Sequence, residues 1–119
     1  YFTDAITDKA IGMVEEAASD DKPFFLYLAH AAPHWPLHAP EEDIARYDGV
    51  YNAGWDKIRT ARHEEMNGRQ LLQKNWQISP RDSEVPPWQA IEHNDWEASK
   101  MATYAAISRR TSSRWSSIR

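Results

Sequence analysis

Apolar residues recur at helical spacing from the start of the chain: Ile6, Ala10, Met13, Val14 and Ala17 share one side of a helix expected over residues 3–18. Thr3 is the expected N-cap, and Asp4 sits near the positive end of the helix dipole. The polar residues 19–23, Ser-Asp-Asp-Lys-Pro, stop this helix. Residues 24–29, Phe-Phe-Leu-Tyr-Leu-Ala, then form an unbroken apolar run of strand length. A strand with one wet face would alternate, so this run predicts a strand covered on both sides, as in a parallel sheet between helices. Helix, turn and buried strand make half of an α/β unit.

The pattern then changes. Residues 30–40 hold Pro33, Pro36 and Pro40, which rules out regular structure and predicts a constrained loop. Glu41, Glu42 and Asp43 open a short helix reaching Tyr47, with its acids at the favourable end. Residues 52–67 read as a further helix with Trp55, Ile58 and Ala61 on one side and Gly68 as its C-cap. Residues 78–87 are loop. A last helix starts at Asn94 or Asp95 and uses Ala98, Met101, Ala102 and Ala105. There is no internal repeat.

Composition refines this picture in two places. No cysteine is present, which excludes a disulfide framework, a cysteine nucleophile and thiolate metal sites among these 119 residues. The net charge of -4 conceals an asymmetry: residues 108–119 hold four arginines and no acid, whereas the preceding residues hold ten Lys/Arg against eighteen Asp/Glu. The main portion therefore has no basic field suited to nucleic acid, and no run is apolar enough to span a membrane. The chain begins at Tyr1, inside a patterned helix, which reads as sequence missing upstream. Compartment stays open, and a periplasmic or secreted setting is compatible with a longer protein.

Chemistry is expected in the loop. In open α/β sheets, ligands bind beyond the carboxyl ends of the strands, where residues 30–40 would lie. His34 stands between Pro33 and Pro36, so its imidazole can be aimed at small entropic cost, to bond an anionic oxygen or pass a proton. The plain alternative is a surface histidine without a role. His30, His34 and His38 are four apart and would align on a helix as metal ligands, but the prolines break that helix, leaving zinc a minor reading. His30 is then a strand-end residue and His38 a loop residue able to touch substrate. Most of the six tryptophans are explained by packing; Trp35, beside His34, is the candidate ligand contact.

Residues 22–40, K-P-F-F-L-Y-L-A-H-A-A-P-H-W-P-L-H-A-P, resemble the central strand and following loop of the formylglycine-dependent arylsulfatases. The similarity continues through residues 44–59, containing Y-x-x-G-W-D-x-I-R, then I-S-P-R-D at 78–82, V-P-P-W at 85–88 and K-M-A-T-Y-A-A at 100–106. It covers nearly all of residues 1–107, read as part of a sulfatase catalytic domain. The resemblance implies an alkaline-phosphatase-like α/β/α sandwich, here represented by helices and loops around one buried central strand. It also implies hydrolysis of small-molecule or glycan sulfate monoesters through a formylglycine nucleophile and a divalent cation, usually calcium. His34 matches the family's sulfate-contacting histidine and is the catalytic residue carried over; Trp35 and His38 join it as substrate-binding residues.

The nucleophile motif, Cys or Ser followed by x-Pro-x-Arg, is absent from these residues, as is a Lys-x-His element. Formylglycine and the cation ligands are thus expected outside this segment, and the segment alone is expected to be inactive. Residues 108–119 depart from the family pattern. They read either as a basic tail for acidic partners or, because the break falls inside a helix, as an out-of-frame end. Two rival functions stand beside sulfatase: a non-catalytic module for sulfated glycans or aromatic ligands, and a phosphate-ester hydrolase of the same superfamily.

Overall fold

A computed structural model describes residues 1–73 and 76–115; residues 116–119 of the expected tail lie outside the described residues. The helices are α1 (Phe2–Ala18), α2 (Glu41–Ile44), α3 (Gly54–Gly68) and α4 (Asn94–Trp115), with 3-10 turns at Ala45–Tyr47 and Trp88–Ala90. The chain divides into two compact units, one of residues Tyr1–Tyr47 with the chain from Ala102 onward, the other Asp48–Met101. Helix α4 runs through both.

In the first unit, α1 buries Thr3, Thr7 and Ala10. Its inner face keeps Ala10, with Ile6, Val14 and Ala17 half-buried as expected, but adds Thr3 and Thr7, and Met13 is exposed. Thr7 can be buried because its hydroxyl donates to the Thr3 carbonyl at 2.7 Å. The N-cap is Tyr1 rather than Thr3 and makes no side-chain cap. The C-terminal part of α4 contributes Ala102, Ala106 and Ile107, of which Ala106 and Ile107 are essentially inaccessible. A core built so largely of alanine supplies little apolar area, so polar links matter more here than in most small domains.

Arg110 makes the principal link. Its Nε and Nη2 donate to the two carboxylate oxygens of Asp4 at 2.9 and 2.6 Å, and Nη1 donates to Asp43 Oδ2 at 2.5 Å. The forked guanidinium suits this double engagement. The hydrogen bonds to Asp4, then those to Asp43, push the Arg110 pKa above its ordinary value. Asp43 is buried and also faces Arg46 at 3.5 Å and Arg109 at 3.8 Å. Basic residues at the start of the expected tail are therefore helical and ion-paired.

The expected strand is not formed: among the described residues no strand occurs, and residues 24–29 lack regular structure. Burial along this segment alternates, with Leu26, Leu28 and His30 half-buried while Phe25 and Tyr27 are 89% and 80% exposed. A buried strand needs hydrogen-bonding neighbours and a second covering layer. Neither is supplied by the described residues, so one face packs and the other meets solvent.

The second unit explains the G-W-D-x-I-R motif. Gly54 has φ +80°, and a Cβ there would overlap the Trp88 ring, so only glycine admits the buried indole. Trp55 meets Trp88 edge to face, with centroids 4.8 Å apart, and donates Nε1–H to the Pro86 carbonyl at 3.2 Å. Asp56 accepts from the Trp88 backbone N–H at 3.0 Å and from Arg81 Nη1 at 2.9 Å. Arg59 donates to the Ser79 carbonyl and hydroxyl. One face of α3 thus clasps residues 79–88. The helix begins two residues later than expected, and Gly68 is its last residue rather than its cap.

Gly54→Ala should destabilise the protein by about 2–4 kcal/mol, from indole displacement plus left-handed backbone strain. Gly12→Ala, at an open mid-helix position, should instead stabilise by about 0.5–1 kcal/mol; denaturant titration followed by tryptophan fluorescence checks both. The Trp88 N–H, and next the Arg81 side chain, hold the Asp56 carboxyl below its ordinary value. A depressed carboxyl stabilises fully above its unfolded pKa, about 4, and that contribution is lost as pH falls through the folded value. Acid titration should therefore weaken the clasp below about pH 4, and Asp56→Asn should flatten this dependence.

Candidate functional site

The proline loop and the start of α1 enclose an open cavity of about 550 Å³. His30, His34, Trp35 and His38 all line it, together with Tyr1, Phe2 and Ile107. The loop thus brings its histidines to one concavity although they are not on a helix. His34, Trp35 and His38 are exposed, and His30 is half-buried. Both Ala32–Pro33 and Trp35–Pro36 are cis.

His34 is held at two points. Its backbone N–H donates to the Ala31 carbonyl at 2.9 Å, and its Nδ1 lies 2.8 Å from the Trp35 carbonyl oxygen. A carbonyl only accepts, so Nδ1 carries the hydrogen of that bond and Nε2 is the nitrogen left for chemistry. Neutral, Nε2 accepts a proton or a hydrogen bond; protonated, it donates to an anionic oxygen. This arrangement fixes the tautomer without using a second side chain.

The rest of the rim is aromatic and apolar. Trp35 is 62% and Phe2 66% exposed, so each offers a face to a ring-bearing ligand. The Tyr1 hydroxyl donates to the His38 carbonyl at 2.7 Å, fastening the far limb of the loop to the start of α1. Sequence reading did not find Tyr1, Phe2 or Ile107 as lining residues. Tyr1 lies 37 residues from its partner, and no local pattern signals that pairing. The available signal was the adjacent aromatic pair Tyr1-Phe2 ahead of an amphipathic helix.

Among the described residues no group of three His, Cys, Asp or Glu side chains converges to hold a metal ion. The zinc reading of His30, His34 and His38 therefore has no geometric support, even though the three share a cavity. No set of the described residues suits a divalent cation, and the nucleophile motif that would bear formylglycine is absent from this sequence. Among the described residues, no helix is long and apolar enough to cross a membrane.

Comparison with known proteins identifies the family. An uncharacterized sulfatase of Schizosaccharomyces pombe is 31% identical over 110 residues, covering 90% of this chain and 20% of that protein. The arylsulfatase of Klebsiella aerogenes is 30% identical over 94 residues, covering 77% of this chain and 20% of the enzyme. The uncharacterized sulfatase YdeN of Escherichia coli is 46% identical over 54 residues, covering 45% of this chain and 9% of that protein. The chain thus spans a fifth or less of the length of these relatives. The Sulfatase family model matches residues 1–113, extending past Arg110, and with the similarity to these relatives it establishes that the chain belongs to the sulfatase family.

Proposed function

We propose that this chain forms the sulfate-facing wall of the active site of an arylsulfatase-like sulfuric ester hydrolase. The observation that carries the reading is His34 on the wall of an open cavity, with Nδ1 engaged by a carbonyl and Nε2 left for the ligand. In the complete enzyme a formylglycine side chain would supply the nucleophile and a divalent cation, Ca2+ or another, would offset the charge of the sulfate. Both would be held by residues outside this chain. His34 Nε2 would donate a hydrogen bond to sulfate and deliver a proton to the departing oxygen as the S–O bond breaks. Trp35 would stack on the leaving group, and His38 would touch the ester from the opposite limb of the loop.

The same reading accounts for residues 24–29. In a complete α/β/α sandwich, the exposed row of Phe25 and Tyr27 would be covered and the backbone paired by neighbouring strands. Substrates would be small-molecule or glycan sulfate monoesters, and a periplasmic or secreted location agrees with such substrates. One observation favours a second reading: the broad exposure of Trp35 and Phe2 also suits a module that only binds sulfated glycans or aromatic ligands.

Kinetics of the complete polypeptide carrying this segment would separate these readings. His34→Asn should lower kcat on alkyl sulfates by about 10²–10⁴-fold, with a smaller loss on nitrophenyl sulfate, whose leaving group needs less protonation. Binding without turnover would support the module. Turnover of phosphate monoesters in preference to sulfates, or unchanged kcat in His34→Asn, would overturn the proposal.

A further inference from the structure

We propose that Arg110 is the positioning residue of the histidine loop, holding it through Tyr1 on one limb and Asp43 at its end. The guanidinium carbon lies 5.8 Å from the centroid of the Tyr1 ring, within cation–π range, and the Tyr1 hydroxyl donates to the His38 carbonyl at 2.7 Å. The same guanidinium holds Asp4 through two bonds, which fixes the first turn of α1; that turn closes on Tyr1 through the Ala5 N–H to Tyr1 carbonyl bond at 3.2 Å. On the other side, Arg110 Nη1 engages Asp43. Asp43 and Ile44 donate their backbone N–H groups to the Pro40 carbonyl at 3.0 and 3.1 Å, so the loop ends where Arg110 pins α2.

Arg110 therefore sets two of the points between which the loop carrying His34 and Trp35 is stretched, without itself lining the cavity. Its neighbour Ile107, one helical turn earlier, does line the cavity and is fully buried. A charge network placed behind a loop sets geometry rather than chemistry: the bonds to Asp4 and Asp43 are directional, whereas an alanine core is not. This role concerns the same site as the sulfatase reading and rests on it for its functional meaning, but the loop's rigidity can be read without turnover.

The test is amide hydrogen exchange at His34, Asp43 and Ile44 in the complete polypeptide, alongside sulfate ester hydrolysis. Arg110→Met should accelerate exchange at all three amides by about tenfold or more, and Arg110→Lys should recover part of that protection. Tyr1→Phe keeps the ring over Arg110 but removes the bond to His38; it should accelerate His34 while leaving Asp43 and Ile44 at the wild-type rate. Wild-type exchange at His34 in both Tyr1→Phe and Arg110→Met would overturn the proposal. Should Arg110→Met not fold, unchanged rates at His34 in Tyr1→Phe and at Asp43 in Arg110→Lys would overturn it equally. Faster exchange with unaltered hydrolysis would uphold the positioning role and count against His34 as the sulfate-facing catalyst.

Discussion

The engagement of Arg110 with Asp4 and Asp43 is the constraint on which the first unit depends. Apart from Ile107, its buried apolar residues are alanines, and two of its deepest positions are threonines. Such a core fixes little by shape, because small side chains interdigitate weakly. A guanidinium that must satisfy two carboxylates supplies the missing directionality: it brings α1, α2 and the C-terminal part of α4 into one register. Desolvating these charges offsets much of their mutual attraction, so the gain lies in specifying the arrangement more than in net stability. The cavity and its histidines inherit that arrangement.

The second unit solves the same difficulty differently. There an absent side chain, at Gly54, lets the Trp88 indole reach the backbone of α3, and the flanking Trp55, Asp56 and Arg59 each take a polar group from residues 79–88. The family-like motif thus forms a structural clasp. The G-W-D-x-I-R segment packs the second unit, while the proline loop carries the residues with a proposed chemical role.

Much of the fold was legible in the sequence. Helical periodicity and breakers placed the starts of the four helices among the described residues to within two residues, and the prolines excluded a helical histidine ladder. Residues 24–29 were not legible, because an apolar run states what a strand requires and not whether its partners are present; Phe25 and Tyr27 remain exposed for want of them. The threonines on the inner face of α1 were missed because threonine scores as polar, while Thr7 satisfies its hydroxyl within the helix. Arg110 was read as part of an anomalous tail since its partners lie 67 and 106 residues away. His34, Trp35 and His38 could be proposed from local sequence, but their shared cavity wall could not. It requires Tyr1 and Ile107 from opposite ends of the chain.

The most direct measurement is a crystal structure of the complete polypeptide with a slowly turned-over alkyl sulfate bound. His34 Nε2 is expected at about 2.6–3.2 Å from the bridging ester oxygen or an adjacent sulfate oxygen, with Nδ1 still donating to the Trp35 carbonyl and residues 24–29 paired within a sheet. A sulfate group bound away from this loop, with His34 out of hydrogen-bond reach, would contradict the sulfate-facing role of His34.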